Sequence, residues 1–421
     1  MNGTRAATAA TWMLGGLVGL CIAAMLGLLF FTLGSGLASL RPGTIERITL
    51  ADGSSRLAEV VADDGHALLL RTSETRRLGE GYERVRRGDV VARSEPVDAF
   101  MIGLGDGRRV LGVGDDAALA AAVGSIGALA RVVEVLRPNA LGAFEGAGIF
   151  LRRLARFVAT PPDASNLAGG VLPALVGTVT LVLLMSVLVM PFGVAAAVYL
   201  HERRGVGARI VRTAIDTLAG VPAIVYGVLG LGLFVHGIGA GIDRWFYADR
   251  LPVPTFGGGG LLWAALTLAL LTLPVVVVSV EQGLARIPSS LRDGSLALGA
   301  TREETLRRLL LPAARPAVLT GFVLAIARAA GSVAPLMLVG MVKLAPASPL
   351  DGAFPYLHPS RQFMHLGFAV YDAALASPDA IRGVPRAYAC AMLLVCVVIV
   401  LNLSAILLRN RLRDRYRALE S

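Results

Sequence analysis

Cysteine, lysine and charge are all scarce in this sequence. Its three cysteines, Cys21, Cys390 and Cys396, show no paired spacing, which excludes a disulfide framework and a thiolate metal site. Each lies in an apolar run, where a thiol acts as a small hydrophobe. Lys343 is the only lysine, and no G-x-x-x-x-G-K-[ST] occurs, so the chain carries no phosphate-binding loop of that kind. G-x-S-x-G and H-E-x-x-H are also missing, with His358 and His365 too far apart for the latter. The glycine-rich stretches Gly103–Gly107 and Gly257–Gly260 lack the strand–turn–helix frame of a dinucleotide site and read as turn and loop entry. An enzyme acting alone, a resident metal and a cofactor are therefore not expected.

Apolar length is abundant instead. The 421 residues are 55% hydrophobic and 17% charged, against about 25% charged in a soluble domain, and mean hydropathy is +0.67. A bilayer span needs roughly 20 apolar residues at about 1.5 Å rise each. Six runs qualify: Trp12–Leu33, Val171–Leu200, Val221–Gly237, Leu261–Val280, Ala317–Val339 and Ala387–Leu408. The third is short, with glycine and proline at its ends. Trp12–Leu33 exceeds the roughly 7–15 residues of a secretory h-region and no A-x-A site follows, so an uncleaved anchor is expected.

The formal charge of +10 admits nucleic acid as a partner, but the basic residues are mostly arginines at the edges of the apolar runs. Arg203, Arg204, Arg209 and Arg212 follow the second run; Arg409, Arg411, Arg413, Arg415 and Arg417 follow the last. Cytoplasmic loops carry such an excess. The balance predicts no nucleic acid, contact with membrane lipid, a multi-pass plasma-membrane protein, and both termini in the cytoplasm.

Residues 34–169 are too polar for lipid. TIERITL, SRLAEVVA and HALLLR are short strand-like runs. They are punctuated by Asp52-Gly53 and Asp63-Asp64-Gly65, and Asp106-Gly107 follows later, pairs that suit positive-φ turns. Asp116–Val135 and Gly148–Ala159 have helical spacing. A small extracytoplasmic α+β domain is expected, with no catalytic arrangement. Trp245, Phe246 and Tyr247 form an interfacial aromatic cluster between the third and fourth runs. The expected organisation is an anchor helix (1–33), the outer domain (34–169), a transmembrane domain (170–413) containing a cytoplasmic loop (281–316), and a tail (414–421).

That loop holds LRDGSLALGATREETLRRLLLPAARP, Leu291–Pro316. Ser290 followed by Asp293 suggests an N-cap with a first-turn carboxylate, and a helix over Leu291–Leu298. Gly299 suits the left-handed position after a helix. Thr301 and Glu304 match a capping box for a second helix, which Pro312 is expected to end before the fifth span. Two short helices with a sharp bend are the shape of an interfacial element or of a protein-docking element.

The spacing Asp293-Gly294-Ser295, three residues, Gly299, nine residues, Leu309-x-Leu311-Pro312 resembles the EAA loop of ABC importer permeases. Asp stands for the usual Glu, and Gly-Ser for Ala-Ala. DTLAGVPAIVYG (Asp216–Gly227), Leu273–Thr305 and LAIARAAGSVAPLMLVG (Leu324–Gly340) are similar to the phosphate-permease branch of that family. The resemblance implies an all-α polytopic protein with about six transmembrane helices and the type I ABC importer permease fold, with the α+β domain inserted after the first helix. It implies docking on an ATPase through Asp293, Gly294, Ser295, Gly299, Ala300, Thr301, Leu309, Leu311 and Pro312. Implied partners are a second permease subunit (PstC-like), ATPase subunits (PstB-like) and an extracytoplasmic phosphate-binding protein (PstS-like). Alternatives are import of a related oxyanion, sulfate or phosphonate, or a membrane sensor or scaffold reading the outer domain.

Arg328 is the one permanent charge inside the expected spans, near the middle of the fifth. A charge at the bilayer centre costs at least ~2.5–3.5 kcal/mol, so it is expected to face protein or water. A guanidinium matches phosphate oxygens in geometry and charge. Ser332 at i+4 and Pro335 at i+7 would share its face. The resemblance implies a substrate-pathway role for Arg328, Ser332 and Pro335. The related pattern reads A-R-A-x-G-E-T-A-P, so Ser332 occupies the position of a glutamate, and Val278 that of an arginine found in many relatives.

Overall fold

The computed structural model describes residues 2–74, 81–105, 107–127, 130–163, 169–377 and 380–417. Asp106 of the expected Asp106-Gly107 turn and residues 418–421 of the tail lie outside them. The chain divides into two compact units, Met1–Leu172 with Val370–Met392, and Pro173–Ala369 with Leu393–Ser421.

In the first unit, α1 (Asn2–Leu40) carries the first candidate span, Trp12–Leu40. Its apolar side chains, Trp12 to Phe31, are exposed, as a lipid-facing helix requires. Strands β1 (Ile45–Leu50), β2 (Ser55–Asp63), β3 (Ala67–Arg71), β4 (Tyr82–Arg86) and β5 (Val90–Ser94) form an antiparallel sheet in the order β4-β3-β2-β1-β5. Gly53, Gly65 and Gly107 all take φ between +80° and +85°, the conformation the Asp-Gly turns anticipate. A second sheet, β7-β6-β8, is built from β6 (Ala99–Leu104), β7 (Arg109–Val113) and β8 (Val132–Leu136). The helix α2 (Asp116–Gly127) is therefore shorter than expected: the residues up to Val135 join a strand, where β8 pairs with β6. Long-range pairing overrides local helical spacing here. Helix α3 (Ala143–Ala159) starts five residues earlier than the expected Gly148.

The second unit is helical. It comprises α4 (Leu172–Glu202, from Pro173), α5 (Val206–Gly220), α6 (Ala223–Leu229), α7 (Ala240–Phe246), α8 (Leu261–Ala285), α9 (Ser289–Ala297), α10 (Arg302–Thr305), α11 (Leu311–Ala330) and α12 (Leu336–Val339). The unit boundaries fall within helix α13 (Leu366–Tyr371) and within the last, α14 (Ala380–Arg417). A π-helical stretch, Gly230–Gly239, joins α6 to α7, so the third span runs over Ala223–Phe246 instead of stopping at Gly237. Trp245 and Phe246 stay exposed at its end. The described residues contain six candidate spans.

Helix α8 is the centre of this unit's core: Leu268, Val276, Val277 and Val280 are fully buried. Buried hydroxyls satisfy themselves on their own helices, Thr178 on the Ala174 carbonyl at 2.7 Å, Ser186 on Val182 at 2.7 Å and Thr272 on Leu268 at 2.8 Å. That satisfies each hydroxyl proton locally, and Thr178 Oγ1 also accepts from the Leu366 N–H at 2.9 Å. Helices α8 and α11 approach closely; a Cβ at Gly283 would lie 2.0 Å from the Ala317 Cβ. Small residues permit such crossings.

Candidate functional site

The bent segment after α8 is more regular than its composition suggests. Helix α9 starts at Ser289 behind Pro288, two residues earlier than expected, and Ser290 makes no capping bond. Proline with preset φ supplies that start. At the other end the Gly299 N–H donates to Leu296 O at 3.0 Å and the Ala300 N–H to Ser295 O at 3.2 Å. With Gly299 at φ +87°, this is the Schellman closure. Thr301 and Glu304 then form the expected capping box: the Glu304 N–H donates to Thr301 Oγ1 at 3.2 Å and the Thr301 N–H to Glu304 Oε2 at 3.0 Å. The bond from the Thr301 N–H holds the Glu304 carboxyl below its ordinary pKa. Ser295 Oγ and Thr305 Oγ1, 2.9 Å apart, tie the two helices across the bend.

Pro312 does not end the second helix. The chain stays helical from Arg302 to Ala330, through a π turn at Leu306–Leu310 whose Leu311 N–H donates to Leu306 O. That wider turn immediately before the proline removes the usual i−4 clash. The second helix of the bent segment and the fifth span are thus one rod. Leu310 is buried and Leu309, Leu311 and Pro312 are half-buried, whereas Asp293, Gly294, Gly299 and Thr301 are exposed. No residue of α9 is buried, and Leu298 is 90% exposed. Arg292 of α9 pairs with Glu202 at the end of α4. Ninety residues separate these two, and no local pattern could have announced the contact.

The same rod moves Arg328. The fifth span ends at Ala330, not Val339, and Arg328 occupies the last turn of α11. Counting from Leu311, it stands about 25 Å along the helix, near the far edge of a ~30 Å hydrocarbon layer. A cation there also faces the negative end of the helix dipole. The helical face does not continue past it: Ser332 lies in the turn beyond, its N–H on Ala329 O at 3.1 Å, and Pro335 is buried, its Cα 2.8 Å from a Cβ built on Gly227. The structure therefore separates Pro335 from Arg328.

What lies beside Arg328 is a groove between α8 and α11. One part, about 360 Å³, is lined by Ala219, Pro274, Val278, Thr320, Leu324 and Arg328 among others. A second, about 450 Å³, reaches Arg286, Pro288 and Leu291 at the start of α9. Ser279, Gln282 and Thr320 line both. Sequence reasoning did not find these three polar residues; their helical spacing on apolar runs was the available signal. Val278 of α8 lines this part of the groove together with Arg328 of α11.

The signature of the binding-protein-dependent transport system inner membrane component matches residues 189–418. The chain belongs to this family. Over 245 residues it is 34% identical to the phosphate transport system permease protein PstA 1 of Mycobacterium tuberculosis (strain CDC 1551 / Oshkosh), covering 58% of this chain and 71% of that one. Over 194 residues it is 35% identical to the probable ABC transporter permease protein YqgH of Bacillus subtilis (strain 168), covering 46% of this chain and 59% of that protein's length. Among solved structures it is similar to an inward-facing MetNI methionine ABC transporter, at 17% identity over 57% of this chain and 94% of that one, with a TM-score of 0.42. The family match takes in the bent segment and both walls of the α8–α11 groove, so the groove is a feature of the permease part of the chain. It leaves out β1–β8.

Proposed function

We propose that the chain is one of two transmembrane subunits of an ATP-driven phosphate importer. The observation that carries this reading is the groove, which joins the foot of the bent segment to Arg328. In this reading α9 and the Gly299 bend dock on a PstB-like ATPase through Asp293, Gly294, Ser295, Ala300 and Thr301. Leu309, Leu311 and Pro312 belong to the rod that carries the movement onward. ATP binding closes the ATPases, α9 is displaced, and the helical Arg302–Ala330 rod transmits that displacement to the groove without a flexible joint. Arg328 then offers bidentate donors to an oxyanion, with Ser332 one turn beyond. A PstC-like permease forms the facing half of the path and a PstS-like protein delivers phosphate.

The arginines of 203–212 and of the tail support a cytoplasmic location for both termini, which puts residues 34–169 outside the cell. Phosphate over sulfate or phosphonate is favoured by the similarity to PstA 1. The test is uptake of radiolabelled phosphate in a strain lacking this chain, restored by the wild-type chain and competed by sulfate or phosphonate. Unchanged uptake in the deletion strain rejects phosphate import by this subunit.

A further inference from the structure

Helix α3 has two unlike faces. Ile149 and Phe157 are buried, and Arg153 on that side pairs with Glu134 of β8 at 2.7 Å. On the opposite side Phe144 is 95% and Leu151 61% exposed. Seven residues apart, they share one helical face, which Ala155 continues. Arg152 and Arg156 lie along one edge of this stripe; both are exposed, and neither has an ion-pair partner among the described residues.

The end of α3 is tied to two membrane spans. The Val171 N–H donates to Phe157 O at 2.8 Å and the Leu172 N–H to Thr160 O at 3.1 Å, and Leu172 opens the second span. Arg386, near the start of the last span, donates to Gly169 O at 3.0 Å and Gly170 O at 3.2 Å. Its guanidinium sits 5.8 Å from the Phe157 ring centroid. Two span ends that meet at Phe157 mark the level of the membrane surface. Helix α1, whose Phe30 and Phe31 are 68% and 57% exposed, also packs on α3, so α3 adjoins a lipid-facing helix.

We propose that α3 is a membrane-surface helix that holds the β-rich region against the bilayer. Phe144 and Leu151 enter the acyl boundary, and Arg152 and Arg156 meet anionic headgroup phosphates. An apolar stripe edged by unpaired guanidiniums matches a layer that is apolar below and negative above. A helix standing upright would instead leave Phe144 about 20 Å above Phe157 in water.

The test uses the full-length chain in nanodiscs of phosphatidylcholine and phosphatidylglycerol, with a lipid carrying a diazirine near the headgroup. Labelled residues are mapped by mass spectrometry. Labelling at both Phe144 and Leu151 is expected, falling at least about fivefold in a Phe144→Asp/Leu151→Asp chain, while labelling of α1 reports that the chain is inserted and folded. Replacing phosphatidylglycerol by phosphatidylcholine should lower the α3 signal, and Arg152→Gln/Arg156→Gln should remove that lipid dependence. An unlabelled α3 beside a labelled α1 overturns the proposal. So does α3 labelling that disappears when the second permease subunit is reconstituted alongside, because the stripe then faces protein.

Discussion

Glu74, just after β3, and Arg382, in the first turns of α14, form an ion pair although 308 residues separate them. Glu74 is fully buried and the Arg382 side chain is 7% exposed. Arg71 reaches the same carboxylate at 3.4 Å, and both guanidiniums lie over the Tyr82 ring, with centroid distances of 5.6 and 5.8 Å. The β-rich region and the start of the last span are thus joined by charge rather than by an apolar seam. Removing one member of a buried pair leaves the other desolvated, at roughly 3–5 kcal/mol. Glu74→Ala should therefore lower the thermal unfolding midpoint of the purified chain clearly, and more than Glu303→Ala. The latter breaks the exposed Glu303–Arg307 pair, worth a few tenths of a kcal/mol. Equal midpoints for the two variants would show that the Glu74 pair contributes little.

Gly299 and Gly294 lie on one segment but respond oppositely to alanine. Neither has an atom within 4 Å of an added Cβ, but only Gly299 has positive φ, +87°. Gly299→Ala should cost about 1–2 kcal/mol of left-handed strain, loosen the Schellman closure and reduce phosphate uptake severalfold at unchanged membrane abundance. Gly294→Ala sits within a helix and should add about 0.5–1 kcal/mol, with uptake at or above wild type. The pair is read by uptake normalised to immunoblot.

Arg328→Gln should leave insertion and assembly intact and lower transport by roughly 10- to 150-fold, given roughly 1.5–3 kcal/mol for a hydrogen bond to a charged group. Arg328→Lys keeps the charge without the planar fork, so an intermediate rate is expected. Uptake by the glutamine variant at the wild-type rate removes Arg328 from the path.

The loop between α12 and α13 should unravel only in strong acid. Arg361 donates to Asp351, and His358 Nε2 lies 2.9 Å from its other oxygen. The Arg361 guanidinium, with the Ala353 N–H, holds the Asp351 carboxyl down at about 2. A carboxyl held below its ordinary 3.8 stabilises the fold above that value, and the contribution fades as pH falls from there through about 2. Amide protection across residues 348–361, corrected for the intrinsic exchange rate at each pH, should stay high at pH 5 and fall below pH 4. In Asp351→Asn it should be low already at pH 7, and an unchanged pH profile in that variant would assign the protection elsewhere.

The sequence alone determined what local chemistry controls. Apolar length set six spans, Asp-Gly pairs set tight turns, and Gly299 with Thr301 and Glu304 set the bend, because each depends on residues a few positions apart. The stretch Asp293–Pro312 also carried a resemblance to the family whose signature matches residues 189–418. Tertiary structure decided what depends on distant partners. Val132–Val135 became β strand because β6 offers an edge, although the local spacing is helical. Arg328 lies at a helix end instead of mid-span because α11 stops at Ala330, and the π turn before Pro312 lets the second helix of the bent segment run straight into that span. Its relation to Val278, Ser279 and Gln282 exists only because Gly283 lets α11 pack closely on α8. The same holds for Glu74 and Arg382: each is an ordinary surface residue in its own stretch of sequence, and only the folded chain buries them together.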